Sequence, residues 1–480
     1  MVLKILKLKT FFYFYVFILF KSFSCFLVFP FKTILGNNFD NINSDSQEYN
    51  STHYLKNNFN KVIYTTIKIG EPPQEVNTII TYNDCNFKIG KARKCIYSSE
   101  YLSYYNHNLS KSFNYTDYYN YHLSEFEGNK GQSAEDIIYA YTDLNLKNFA
   151  KFENIGFYLG SDTNDSLCGI IGFKIENYAT FCYESNNIIK SFKSKDIINN
   201  YEWILNYTSE EQGFLILGGD LKDLIPNYKK EKLYNISTIM GGSDFPWMII
   251  ISKIECGENN NTIIISKEVK AEINNDYSLI VGGSSYENYI QNNFFNEYIK
   301  QNICSINLIN YADNHKYYVY ECDKEKFNKS NIDKFPKLAF TPRYYDNKFN
   351  FEGKDLFVET KYKYFFNIIF MFHWGDNYWI FGKKFLQKFP TMINFKSKFI
   401  QIYNDENREE SIINNNNYNN KLSRKYIILM ILLILVLLCI FSTLFYFLGK
   451  NLNKLRKKKA NELDDGYDYT SAEEKNAINM

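Results

Sequence analysis

Tyr64-Thr-Thr-Ile-Lys-Ile-Gly-Glu-Pro-Pro-Gln74 reads as a strand that ends in a turn. β-Branched and aromatic residues fill the run, and Gly70 with Pro72 and Pro73 breaks it. The same texture continues outward from Lys61. Val62–Ile69, Val76–Ile80, Phe214–Leu217, Met248–Ile251 and Thr262–Ile265 are short apolar runs punctuated by Gly, Pro and Asn. The expected fold is mainly β with a few short helices, among them Phe294–Ile303 and Lys384–Phe389.

The chain has 480 residues, too many for one ordinary core and suited to two packed lobes with appendages. A net charge of +2 gives no reason to expect a nucleic-acid partner. Tyr and Phe reach 42 each, alongside abundant Asn, Lys and Ile. AT-rich codon usage is sufficient to explain that, so no function is attached to it.

A weak internal duplication supports two related lobes. An Ile-rich strand ends at Thr81, and Gly169-Ile-Ile-Gly172 follows later. A second strand ends at Asn274, and Trp379-Ile-Phe-Gly382 follows it in turn. Two copies of strand, loop and apolar-apolar-Gly are the mark of a repeated unit.

Seven segments, in order over residues 61–403, resemble the pepsin-like aspartic proteases. They are Tyr64–Gln74, Gly169-Ile-Ile-Gly-Phe173, Phe214-Leu-Ile-Leu-Gly-Gly-Asp220, Trp247–Ile254, Phe335-Pro-Lys-Leu-Ala-Phe340, Trp379–Leu386 and Met392–Tyr403. The resemblance implies a two-lobed pepsin-like fold, with an N-terminal lobe over 61–242 and a C-terminal lobe over 243–403. It implies a site where two aspartates, one per lobe, share a proton and activate a water. Each aspartate would open an Asp-Thr/Ser-Gly triplet whose hydroxyl braces the paired loops and whose Gly lets them meet.

Both aspartates are missing. Thr81-Tyr82-Asn83 stands at the first triplet and Asn274-Asn275-Asp276 at the second. Neither a Thr hydroxyl nor an Asn amide titrates near neutrality, so Thr81 and Asn274 cannot serve as general bases. Asp84 and Asp276 are the nearest substitutes. On a continuing strand Asp84 falls on the opposite face. Asp276 falls about 7 Å further along. Both are expected to serve their own turns. The resemblance places a flap over the cleft near Phe126–Gly131, with Phe126 and Gly128 as contacts, or an ordinary exposed loop aromatic instead. The five histidines lie in unrelated contexts, no Gly-x-Ser-x-Gly elbow is present, and no cysteine or histidine spacing indicates a metal or cofactor.

Seven cysteines lie within residues 61–403, Cys85, Cys95, Cys168, Cys182, Cys256, Cys304 and Cys322, an odd number that leaves at least one free or paired outside this region. Cys304 and Cys322, both ahead of the Phe335-Pro336 strand in a loop-rich region, are expected to pair. Cys85 and Cys95 resemble the family's small loop disulfide after the first triplet.

Residues 1–24 read as a signal peptide, with Lys4, Lys7 and Lys9 before the run Phe11–Phe20; an uncleaved anchor reaching Phe29 is the alternative. Residues 25–60 read as a polar, irregular leader or pro-segment, and 404–425 as a solvated stalk. Residues 426–448 carry no charge and are long enough to span a bilayer. The basic cluster Lys450–Lys459 behind them puts the 449–480 tail in the cytosol. That orientation makes the chain a single-pass type I membrane protein of the secretory pathway. Sequons at Asn50, Asn108, Asn114, Asn164, Asn206, Asn235, Asn260 and Asn328 all precede the span.

The expectation is therefore a membrane-anchored pseudoprotease that binds a peptide or protein partner. The alternatives are an active endopeptidase with a displaced dyad, or a surface structural or adhesion protein that keeps only the fold.

Overall fold

The structure is a computed structural model. It describes residues 26–35, 46, 49–59, 61–82, 84–90, 105–116, 131–160, 169–174, 187–239, 247–257, 263–265, 268–311, 315–372, 378–405, 443–444 and 446–456. The signal-peptide residues, the flap residues Phe126 and Gly128, Cys95, Asn164, Asn260 and most of the 426–448 segment lie outside that set. Among the described residues no helix is long and apolar enough to cross a membrane.

The protein is mainly β, as its sequence leads one to expect, and is organised on two large sheets. The first has 13 strands and the second 12. In the first, strand Lys61–Ile69 pairs antiparallel with Gln74–Thr81 across the Gly70–Pro73 turn. Gln74–Thr81 then runs parallel to Gly169–Gly172, with Thr81 opposite Gly172. The second sheet repeats this arrangement. Val269–Ile273 runs parallel to Tyr378–Phe381, with Ile273 opposite Phe381.

The duplication is thus structural as well as textual, and its two glycines have the same task. A Cβ on Gly172 would sit 2.4 Å from the Asp84 carbonyl oxygen. One on Gly382 would sit 2.2 Å from that of Leu279 and 2.3 Å from that of Tyr277. Each glycine lets its strand close down on the loop that follows the matching strand of its own half.

Two sequence expectations need correction. Residues 25–60 are not irregular throughout. Leu27–Leu35 is a strand pairing with Gln212–Leu217 on one side and Lys61–Ile69 on the other. Its inward residues Leu27, Phe29 and Phe31 are buried in the main core. Ser51–Phe59 is a helix. The many polar residues of this stretch hid a short alternating run, too brief to stand out beside the Asn-rich text around it. The closing strands also change sheets. Thr391–Asn394 pairs with Glu202–Tyr207, and Phe399–Tyr403 pairs with Leu233–Ser237. Both therefore belong to the first sheet, although they follow the second half in sequence.

The disulfide Cys304–Cys322 is present, with its Cα atoms 3.9 Å apart. It staples directly opposed positions of the antiparallel strands Cys304–Asn310 and Lys316–Asp323. That region is a strand pair rather than the loop-rich stretch its sequence suggested. Cys85 is disulfide-bonded. Cys256 is free and buried, and its burial pushes the thiol up to about 12.

Candidate functional site

The site lies where the ends of the two repeated strands meet. Strand Gln74–Thr81 delivers Thr81, and the turn after Ile273 delivers Asn274, Asn275 and Asp276. Expected to continue along an extended strand, Asp276 instead doubles back. Its own N–H donates to Asn274 Oδ1 at 2.9 Å, and the Tyr277 N–H reaches the Asn274 carbonyl at 3.4 Å. This Asx-type turn swings the Asp276 side chain across to the first half. There Oδ2 accepts from Thr81 Oγ1 at 2.7 Å and from the Tyr82 backbone N–H at 3.2 Å.

Asn275 completes the junction. Its Nδ2 donates to the Ile80 carbonyl at 3.1 Å. An amide therefore braces the loops from the second half, where the family resemblance calls for a hydroxyl. Tyr82 offers no matching brace. It is fully buried in the first half, edge-on to Trp203 with ring centroids 5.0 Å apart. Trp203 in turn stacks on Phe173 at 4.2 Å, and Trp247 Nε1 donates to the Phe173 carbonyl at 2.7 Å. Tyr82 is thus committed to core packing.

Asn274 is locked as well. Its Nδ2 donates to Glu272 Oε1 at 2.6 Å while its Oδ1 is held by the Asp276 N–H. Glu272 also accepts from the Tyr378 hydroxyl. Burial pushes the Glu272 carboxyl up, and the hydrogen bonds from Tyr378 and Asn274 draw it partly back down. The result is a continuous chain of hydrogen bonds, Tyr378–Glu272–Asn274–Asp276–Thr81. Sequence reading missed Glu272 and Tyr378. The parity signal was available for one of them, since Glu272 lies two residues before Asn274 on the same strand face.

Asp84 takes no part. Its carboxylate binds Lys88 Nζ at 2.5 Å and accepts from the Asn86 N–H at 2.8 Å. It serves its own turn, as expected. The four residues of interest thus divide: Thr81, Asn274 and Asp276 share one hydrogen-bonded junction, and Asp84 is engaged with Lys88. Chemically, the Asp276 carboxylate accepts two hydrogen bonds from the opposite half, and the other carboxyl of this hydrogen-bonded chain, that of Glu272, is separated from it by the Asn274 amide. A proton-sharing pair of the kind that activates a water needs two carboxyls in direct contact. No group of residues able to hold a metal ion occurs among those described.

The sequons sort by exposure. Asn50, Asn108, Asn114, Asn235 and Asn328 are exposed. Asn206 is 7% exposed within strand Glu202–Tyr207, so a glycan there is incompatible with this fold and that expectation is withdrawn. No protein-family model and no curated protein matches the chain.

Proposed function

We propose that the chain is a catalytically inert relative of the pepsin-like aspartic proteases, two-lobed and membrane-anchored, that binds a peptide or protein partner between its lobes. One observation carries the reading: the Asp276 carboxylate is tied to Thr81 and Tyr82 across the junction, while Asp84, the other candidate, is ion-paired with Lys88. A displaced dyad would need both carboxylates within reach of one water, and each is held elsewhere. The proposed anchor is the 426–448 segment, with the folded region lumenal or extracellular.

A second reading, a surface structural or adhesion protein, draws support from a different contact. The chain's own helix Ser51–Phe59 brings Phe59 against Tyr277, the neighbour of Asp276, with ring centroids 5.7 Å apart. A region already covered by the chain itself favours binding through some other face.

The test is to incubate the detergent-solubilised full chain with a broad peptide library from pH 3 to 7, with and without pepstatin. Cleavage and retention are both read by mass spectrometry. Retention without cleavage is expected. Pepstatin-sensitive cleavage would reject the inert reading, and neither cleavage nor retention would favour the structural one.

A further inference from the structure

Sheet edges carry rows of unpaired N–H and C=O groups, and folded proteins keep such edges short, charged, bulged or covered. Most terminal strands here follow that rule. Asn114–Tyr115 has two residues, and Ile263–Ile265, Phe349–Phe351 and Phe357–Glu359 have three each. Leu233–Ser237 has five, and its Asn235 carbonyl is taken by the Tyr345 hydroxyl at 2.5 Å. Strand Cys304–Asn310 is the exception. It has seven residues, Cys-Ser-Ile-Asn-Leu-Ile-Asn, with no charge, no proline and no bulge. Among the described strands it pairs only with Lys316–Asp323.

The bonds that bracket this strand fix which of its groups are open. The Asp323 N–H donates to the Ile303 carbonyl at 2.9 Å, and the Tyr311 N–H donates to the His315 carbonyl at 2.8 Å. Bonded and non-bonded pairs alternate along an antiparallel ladder, so Ser305, Asn307 and Ile309 bond inward to Lys316–Asp323. The N–H and C=O groups of Cys304, Ile306, Leu308 and Asn310 then point outward. Among the described residues nothing meets those of Ile306, Leu308 and Asn310. Helix Ser51–Phe59 reaches the strand by a side chain, Asn307 Nδ2 donating to Ser51 Oγ at 3.0 Å, and takes none of the outward groups. Leu308, a large apolar side chain on the open row, is 44% exposed.

We propose that this edge pairs antiparallel with the same edge of a second copy, joining the second sheets of two chains about a two-fold axis between their Asn307 residues. The strand's own sequence identifies the occupant. Centred on Asn307, every outward group finds a partner. Cys304 faces the second copy's Asn310, Ile306 faces the second copy's Leu308, and symmetry repeats both pairs. Each such pair exchanges two backbone hydrogen bonds. On one face Ile306 meets Leu308 twice, an apolar cross-strand pair; on the other Ser305 meets Ile309 and Asn307 meets itself. A strand laid against its own copy brings like charges together unless it carries none, and this one carries none. A slip of one residue would set outward groups against groups already bonded, so the register is specific. Each copy offers one such edge, so pairing stops at two. The inference goes beyond the peptide-binding reading and stands whether or not that reading holds.

The experiment follows the full chain in detergent by analytical ultracentrifugation over a range of concentrations, beside Leu308→Pro and Leu308→Lys. Proline removes an outward N–H that makes no bond within the chain, and lysine sets a charge against the second copy's Ile306. Each substitution acts twice in a symmetric dimer, so each should weaken dimerisation roughly tenfold or more, with melting at low concentration close to wild type. In wild type, raising the concentration should slow hydrogen exchange at Ile306, Leu308 and Asn310 and leave Ser305, Asn307 and Ile309 unchanged. A chain that is monomeric at every concentration overturns the proposal. So do dimers that both variants leave intact, because those form through another surface, such as the 426–448 segment. The exchange pattern needs no variant, so it holds as a test even where a substitution disturbs the strand. Protection that does not alternate along 304–310 overturns the proposal too. Protection of this edge by a library peptide, in a chain that does not self-associate, would overturn it by making the occupant a peptide.

Discussion

Asp276 Oδ2 accepts a hydrogen bond from Thr81 Oγ1 at 2.7 Å, although 195 residues separate the two in sequence. The contact ties together the ends of two repeated strands. The same oxygen also takes the Tyr82 N–H. Hydrogen bonds to a charged group contribute about 1.5–3 kcal/mol each, and half-burial strengthens rather than weakens them.

Asp276→Ala should therefore destabilise the fold by about 2–4 kcal/mol, since it removes two donors' partner at once. Thr81→Ala should cost less, about 1–2 kcal/mol, because the Tyr82 N–H still reaches the carboxylate. Urea denaturation of the full chain in detergent gives both values. Equal, near-zero costs would mean that the tie contributes nothing to stability.

Placing carboxylates at Thr81 and Asn274 should not produce protease activity. Thr81→Asp sets a carboxyl against that of Asp276, where both cannot be ionised at once. Its pKa in the folded state then rises above the unfolded value of about 3.9. The folded form holds the extra proton, so stability is lost as pH rises through the raised pKa. The variant should be clearly less stable than wild type at pH 7 and nearer to it at pH 4. Thr81→Asp with Asn274→Asp should remain inert, because Tyr82 is committed to the Trp203 core and cannot brace the loop. Pepstatin-sensitive cleavage by the double variant would show that only the carboxylates had been lost.

Removing the disulfide tests a sequence expectation for which the structure supplies a different reason. Cys304→Ser with Cys322→Ser should cost about 3 kcal/mol in the chain-entropy picture, given a separation of 18 residues. The opposed strands retain their backbone ladder, so the second sheet should still form. Loss of all cooperative unfolding in the variant would contradict that.

What the sequence disclosed follows from the range of each signal. Strand periodicity is local, so Lys61–Ile69, Gln74–Thr81 and Met248–Cys256 were readable within their own residues. The duplicated apolar-apolar-Gly was readable because close approach to Gly172 and Gly382 demands the same residue twice. That Thr81 and Asn274 stand at the ends of the two repeated strands was readable from the same duplication. The Asp276–Thr81 tie was not, since one turn after Ile273 decides whether Asp276 runs on or doubles back. Nor was the burial of Asn206, whose sequon looks like every other. The strand Leu27–Leu35 was obscured because its partners lie at Lys61–Ile69 on one side and at Gln212–Leu217 on the other, both outside its own residues. Lys383 was hidden for the same reason: its surroundings come from three distant parts of the chain.

Lys383 yields the pH prediction. It is almost fully buried, and its Nζ donates to Thr33 Oγ1 at 2.8 Å, joining the helix Lys383–Lys388 to the strand Leu27–Leu35. Its backbone N–H is tied to the Tyr277 carbonyl at 2.7 Å, close to the Asp276 turn. Burial first, then repulsion from Lys61 and Lys384, lowers its pKa from 10.5 to about 7, against the weaker pull of Glu210 and Glu211. Those two carboxylates are themselves engaged, Glu211 with Lys61 at 3.6 Å and Glu210 with Lys384. Between pH 7 and 10.5 the unfolded chain holds a proton here that the folded chain does not. Stability from this site therefore rises with pH across that window and is lowest below 7, where the folded state must bury the charge. Lys383→Met keeps the length of the side chain and removes the proton. It should raise the melting temperature at pH 6 by more than at pH 9, flattening the pH dependence of stability. Hydrogen exchange in Leu27–Leu35 should respond in parallel, faster at pH 6 than at pH 9 in wild type after correction for intrinsic rates, and alike at both in the variant. A variant that melts with an unchanged pH profile would show that Lys383 stays charged in the folded protein.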